Sequence, residues 1–323
     1  MRVLVAGATG VIGRQLTPLL ASVGHEVVAL APRFPSRAAV EGLGGRAVIG
    51  DLLDREQVAS VLRTVQPEAI VHMATAIPRT INPRRLAADF ATTNRLRAEG
   101  TRNLLDAAAD LGVQRFITQG VAYAYDPVGS GPAAEDEPLW SSPPKQFAPV
   151  LAALRELEKR TIGAGGVVLR LGHLYGPGSI YAVDGTFAEQ VRLRKVPVVG
   201  GGTAAFSFTH AHDAATAVVA ALDRDVVGPL NVVDDNPVAL KEWLPEYARL
   251  LGAKEPKSAP AGLARLAVGA WGVAFMTRLR GADNARAKAL LDWKPRYGSW
   301  LTGMTEELAA GRSGAGTQER ARG

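Results

Sequence analysis

The first thirteen residues, Met1-Arg-Val-Leu-Val-Ala-Gly7-Ala-Thr-Gly10-Val-Ile-Gly13, constrain the fold of this chain more than any other stretch. Arg2 to Ala6 is a short, mostly apolar run of the kind that forms a central parallel strand buried on both faces. Gly7, Gly10 and Gly13 follow with two-residue gaps, and a helical pattern from Arg14 to Val23 begins at once. Glycine permits the tight turn and lets backbone N–H groups approach a pyrophosphate that a Cβ would keep away. The helix that follows points its positive end at the bound anion. With 35 glycines in 323 residues the spacing alone is a weak signal. Between a buried strand and a helix it becomes a strong one, and Gly7, Thr9, Gly10, Val11, Ile12 and Gly13 are the expected dinucleotide cradle.

Further strands are expected at Val27–Ala31, Arg46–Ile49, Ala69–Ala74, Arg115–Val121 and Val167–Leu171. Helical patterns run to Val65, over about Pro83–Leu111 as one long region, and over about Pro149–Ile162. This alternation defines an α/β chain with a Rossmann-type, doubly wound parallel sheet. After Gly172 the alternation stops and Gly and Pro punctuate shorter segments, with helices near Phe187–Arg194, Ala211–Leu222 and Leu240–Leu251. Residues 1–172 are therefore assigned to dinucleotide binding and 173–310 mainly to a substrate lobe with segments returning to the sheet. Residues 311–323, without apolar spacing, are assigned to a disordered tail. The end of the second strand bears on cofactor choice. An acid there suits the ribose hydroxyls of NAD, whereas arginine suits a 2′-phosphate. Leu30-Ala-Pro-Arg33-Phe-Pro-Ser-Arg37 contains no acid, so NADP is preferred over NAD, with Arg33 and Arg37 as candidate contacts.

Composition removes several alternatives. The chain has no cysteine, which excludes disulfides, thiolate metal sites and thiol nucleophiles. No basic-then-apolar leader opens it, and the longest apolar run, Leu266–Met276, is too short to span a bilayer and reads as a packed helix. A cytoplasmic enzyme or binding protein is expected. The net charge is +6, with arginines at 79, 84, 85, 95, 97 and 102 and again in Arg192-Leu-Arg194-Lys195. These read first as a solvated surface and second as attraction for an anionic ligand. Aromatic residues are not interleaved with the basic runs, which argues against nucleic acid as a partner. His210-x-His212-Asp213 is the one cluster with metal-ligand types, and no metal site is assigned to it.

Taken together, the landmarks resemble the extended short-chain dehydrogenase/reductase family, which includes sugar-nucleotide epimerases and dehydratases. They are the Gly7/Gly10/Gly13 turn, Gly50-Asp51-Leu52, Val71-His-Met-Ala74, Gly100-Thr-Arg-Asn103 and Arg170-Leu-Gly-His-Leu-Tyr175-Gly-Pro177. Phe208-Thr-His210-Ala-His-Asp213, Leu230-Asn231-Val and Leu291-Asp-Trp293-Lys-Pro295 complete them. The resemblance covers roughly residues 1–308. It implies a cofactor site across the C-terminal edge of the sheet, with Asp51 and Leu52 near the adenine and Ala74 and Thr75 beside the dinucleotide. It assigns His72, His210 and His212 to structure, and it makes a homodimer through two sheet-bordering helices possible. It also implies a tyrosine acid/base, a lysine four residues later, a serine or threonine, and a helix asparagine. None is present. Ala148, Ala152, Val121 and Arg97 stand at those positions, and no tyrosine in the chain has a lysine four residues on.

Hydride transfer to a carbonyl without a proton donor leaves an unstabilised alkoxide, so substitutes are expected. His173 after the sixth strand is a candidate acid/base near neutral pH, or a structural histidine. Tyr123 is a candidate proton donor and Gln119 a candidate ligand for a carbonyl oxygen. Tyr125, Tyr181 and Asp184 are candidate pocket residues. Arg97 could hold a carboxylate or phenolate, or pair with Asp51 or Asp89. The sequence thus points to an atypical NAD(P)-binding reductase, epimerase or dehydratase acting on a small metabolite. Its alternatives are a non-redox cyclase, isomerase or lyase, and a catalytically silent dinucleotide sensor. The Ala- and Arg-rich composition is that of a high-GC bacterium, in which such variants often serve secondary metabolism.

Overall fold

The computed structural model describes residues 1–32 and 34–309, with side chains at all of these except 34–37. Seven strands form the central sheet: β1 (Arg2–Ala6), β2 (Glu26–Ala31), β3 (Arg46–Ile49), β4 (Ala69–His72), β5 (Arg115–Val121), β6 (Val167–Leu171) and β7 (Gly228–Val232). All are parallel, in the order β7-β6-β5-β4-β1-β2-β3. The order reverses at β1. In a doubly wound sheet, that reversal opens a crevice beyond the C-terminal strand ends.

Alternation along β1 explains the layers, because successive side chains leave opposite faces of a strand. Val3 and Val5 share a core with Leu16 and Leu20 of helix α1 (Gly13–Ser22) and with Ala214 and Val218 of the helix Ala211–Leu222. Leu4 and Ala6 pack on the other face with Val58 and Leu62 of the helix Arg55–Val65 and Leu104 of the helix Thr101–Ala108. A third core is aromatic and draws on residues from both halves of the chain. It buries Trp140, Trp243, Trp271 and Trp300 with Phe147, Tyr175, Tyr181, Phe206 and Phe208. The few rings in this chain are therefore concentrated in one place.

Two expected helices differ from the observed ones. The region after Pro83 breaks into Leu86–Asp89, Ala91–Arg95, a π-helical turn Leu96–Gly100, and Thr101–Ala108. A π turn disturbs the regular ladder of main-chain bonds, and here the Leu96 carbonyl lies 3.1 Å from Nε2 of His72. Leu266–Met276 lies in the helix Ala261–Thr277, which is broken at Gly269 (φ 73°). Its second half packs through Trp271 and Ala274, but in its first half Leu263 and Leu266 are 68 % and 76 % exposed. Among the described residues, no helix is long and apolar enough to cross a membrane.

A buried polar network ties β6 and β7 to the helix Ala148–Gly163 and to the segment that follows β5. Arg170 on β6 donates to both carboxylate oxygens of Glu158 (2.8 and 2.7 Å) and to the Tyr125 hydroxyl oxygen (2.7 Å). That hydroxyl donates to Asn231 Oδ1 on β7 (2.7 Å), and the Asn231 amide donates to Glu135 (2.8 Å). Breaking one side of a buried ion pair strands the other charge, at a cost of about 3–5 kcal/mol. Arg170→Met is expected to lose stability on that scale in urea unfolding, and the double variant Arg170→Met/Glu158→Leu to recover much of it. A loss below about 1 kcal/mol would show that the pair contributes little.

Candidate active site

The glycine turn has the shape a diphosphate requires. Gly7 adopts φ 94°, and a Cβ there would fall 2.7 Å from the main-chain carbon of Met73. At Gly13 it would fall 2.3 Å from the Gly7 oxygen, so the turn closes tightly on the end of β4. At Gly10 the added carbon would meet only that same oxygen, at 3.3 Å, and the residue is exposed. The outer face of the turn is thus open main chain at the start of a helix. Arg14 donates its amide to Gly10 (3.0 Å) and its Nε to the Thr9 carbonyl (3.0 Å), holding the loop in place. Thr9 and Val11 are half-buried, whereas Ile12 turns into the core. This cradle fits a dinucleotide diphosphate.

The flanking residues are placed by a few bonds. Asp51 is exposed, and its carboxylate accepts from the Leu53 amide (2.9 Å). Leu52 is buried with its carbonyl bonded to the Asn103 side chain (2.8 Å), which joins two of the sequence landmarks. Ala74 is half-buried and Thr75 exposed just after β4, on the rim of the crevice. Arg33 and the side chain of Arg37 lie outside the described residues.

Beyond β5 and β6 the crevice meets an aromatic wall. Tyr123 stacks on His173 (4.8 Å between ring centres, 8° between planes), and His173 also stacks on Phe206 at 4.3 Å. Phe275, from the broken helix, closes edge-on at 5.4 Å. Burial drives the His173 pKa down to about 3, so the expectation of an acid/base titrating near neutrality is corrected: this imidazole is neutral at pH 7. Burial also pushes the Tyr123 phenol up, against the opposing pull of the Arg97 guanidinium.

Arg97 departs from the solvated-arginine reading altogether. It is 2 % exposed, and both Nε and Nη1 are buried without a hydrogen-bond partner. It pairs with neither expected acid: Asp51 faces its own turn, and Asp89 accepts from the Asn82 amide (2.8 Å). Its neighbours are Tyr123 and His72, the latter held neutral with a pKa near 4, mainly by burial.

Three pocket expectations resolve differently. Tyr125 is fixed in the Arg170 network, which corrects its assignment to substrate. Tyr181 is buried in the lobe core against Phe187 (4.9 Å), with its carbonyl bonded to the Tyr247 hydroxyl, so it supports the wall from behind. Asp184 is exposed near the start of the helix Thr186–Arg192. Gln119 is half-buried on β5 beside Leu169 of β6. Ala148 and Ala152 lie four residues apart on the helix Ala148–Gly163, both exposed, while Val121 is buried. His210 caps the His212 amide (3.1 Å) and bonds Glu307 (2.9 Å). Asp213 accepts from the Arg296 amide (2.8 Å), fastening the last landmark to the lobe. Sequence reasoning missed Phe206 and Phe275. Alternation in Phe206-Ser-Phe208 was an available signal for the first, and nothing local marked the second.

A profile of the NAD dependent epimerase/dehydratase family matches residues 3–233, and the chain belongs to that family. It is 43 % identical over 315 residues to a 3-diazoavenalumate denitrifying reductase from a Streptomyces species, covering 95 % of this chain and all of that one. Among solved structures, the UDP-glucose 4-epimerase of Thermotoga maritima superposes with a TM-score of 0.76 at 22 % identity, covering 98 % of this chain and 100 % of that one. The dTDP-glucose 4,6-dehydratase of Streptomyces venezuelae, with NAD bound, gives 0.75 at 23 % identity, covering 98 % of each. These two establish the fold.

Two expected outcomes follow from the geometry. Gly13→Ala forces a methyl into the Gly7 and Ala8 main chain; a stability loss of about 1–3 kcal/mol is expected, with dinucleotide binding lost in calorimetric titration. Unchanged binding would dissociate the turn from the cofactor. His72 and His173 have folded pKa values below the unfolded 6.5, so the unfolded chain binds more protons between pH 6.5 and about 4. Their contribution is full above pH 6.5 and is lost as pH falls through 4 and then 3, by roughly 1.4 kcal/mol per pH unit for each histidine. Denaturant titrations of His173→Phe should show a shallower acid limb; an unaltered slope would mean that this ring titrates normally.

Proposed function

We propose that the protein is a nicotinamide-dependent reductase whose substrate carries a diazo group, as the name of the Streptomyces relative states for that enzyme. The observation that carries the reading is the joint absence of a tyrosine, lysine and serine set in a chain 43 % identical, end to end, to a denitrifying reductase. Reduction of a carbonyl creates an alkoxide and so requires a proton donor. Reduction of a diazonium carbon does not. One hydride enters, the carbon–nitrogen bond breaks, dinitrogen leaves with no charge, and a carbon–hydrogen bond remains. A bound reduced nicotinamide supplies the hydride. The chain's own residues then have other tasks: the Gly7–Gly13 turn, Asp51, Leu52, Ala74 and Thr75 bind and orient, and the lobe after Gly172 encloses the substrate and excludes water. The aromatic wall of Tyr123, His173 and Phe275 presents packed rings against which a planar aryl substrate would lie. NADP is the preferred dinucleotide, on the strength of Arg33 and Arg37 and the lack of an acid beside them.

A second reading rests on the proximity of Arg97 to Tyr123. A guanidinium beside a phenol favours the phenolate, as the usual lysine does, so the same crevice would reduce a carbonyl with Tyr123 as proton donor. The two readings separate by isotope. With NADPH deuterated at the transferred position and an aryl diazo substrate in ordinary water, the product should carry one deuterium at the former diazo carbon. Unlabelled NADPH in D2O should leave that carbon undeuterated, with one dinitrogen per NADPH consumed. Turnover confined to carbonyl substrates, with Tyr123→Phe losing activity by 10²-fold or more, would replace the first reading with the second.

A further inference from the structure

We propose that Arg97 is the receptor for an anionic oxygen, carboxylate or phenolate, on a planar conjugated substrate that lies against the Tyr123–His173 wall. The proposal rests on the reading of this crevice as a nicotinamide-dependent site and adds the class of molecule that enters it. Arg97 is 2 % exposed, and among the described residues two of its three guanidinium nitrogens are buried without partners and no carboxylate is paired with it. A buried cation in that state is unstable relative to one in water unless an anion is supplied. Elsewhere the same chain shows how it satisfies a buried arginine: Arg170 receives both oxygens of Glu158.

The groups facing Arg97 are all neutral at pH 7. The His72 pKa is near 4, the Tyr123 phenol is pushed up by burial, and His173, stacked behind Tyr123, is near 3. The pocket therefore carries a single uncompensated positive charge and asks for a single negative one. Shape points the same way. A guanidinium is a flat fork that meets two oxygens, or one phenolate oxygen, in its own plane. The parallel Tyr123 and His173 rings (8° apart) extend that setting into a platform for a conjugated system. The backbone under Arg97 is the π turn Leu96–Gly100, a conformation often found where a helix is bent to a functional purpose.

The test uses the full chain, with and without NADPH, in isothermal titration against two pairs of stable probes: 4-hydroxycinnamate with its methyl ester at pH 7, and 4-nitrophenolate with 4-nitroanisole at pH 8.5. The wild type is expected to bind the anion of at least one pair ten times or more tighter than its neutral partner. The first pair identifies a carboxylate and the second a phenolate. Arg97→Met should close that gap by weakening only the anion, and Arg97→Lys, which keeps charge without the fork, should narrow it. Because an unpaired buried charge is removed, Arg97→Met should also melt at or above the wild-type temperature without ligand. No anion preference in the wild type, a gap that persists in Arg97→Met, or a lowered melting temperature in that variant would each overturn the proposal. Dinucleotide affinity, read in the same titrations, separates the two layers. Failure of the wild type to bind either NADPH or NADH, titrated in parallel, defeats the functional reading, whereas dinucleotide binding with no anion gap defeats this inference alone.

Discussion

The close approach of the first turn to the end of β4 governs the rest of the molecule. Gly7 and Gly13 allow main chain to lie against main chain where a Cβ would fall 2.7 and 2.3 Å from the neighbouring backbone, well inside ordinary contact. That contact fixes the start of α1 over the point where the strand order reverses, and so sets the crevice that every other candidate residue faces. The alternation of Val3 and Val5 with Leu4 and Ala6 then builds two cores of different composition on opposite faces of one strand. What lies beyond the C-terminal strand ends is a consequence of that frame.

The layered half of the chain was legible because its signals are local and periodic. Short β-branched runs, glycine spacing and the pairing of distant landmarks all survive in one dimension. Asn103 with Leu52, and Asp213 with Arg296, are the bonds that make those landmarks recur together. The site was legible only in part. That Arg97 stands where a helix asparagine was expected could be read; that it is buried with two unpartnered nitrogens among the described residues could not, because burial depends on the π turn and on neighbours, His72 and Tyr123, that are distant in the sequence. His173 fails as a neutral-pH acid/base for the same reason, since its pKa is set by Phe206 and Phe275, 33 and 102 residues away in the sequence. Tyr125 looked like a pocket residue from its strand position, and its true partners, Arg170 and Asn231, come from two later strands.

The chemistry of the missing residues is informative in itself. The chain keeps the tight glycine turn of its family and carries alanine at 148 and 152, where the family resemblance places a tyrosine and a lysine. The turn and the helix Ala148–Gly163 are separate elements, so residues on one can change without deforming the other.

The concentration of rings in one core has a spectroscopic consequence. Trp140, Trp243, Trp271 and Trp300 all lie in that aromatic core, with Trp271 stacked on Phe147 at 4.0 Å, whereas Trp293 alone belongs to the core beneath the sheet. Intrinsic emission from this protein is therefore an optical gauge of the aromatic core, weighted four to one, and a variant retaining only Trp293 would turn the same signal into a gauge of the core beneath the sheet.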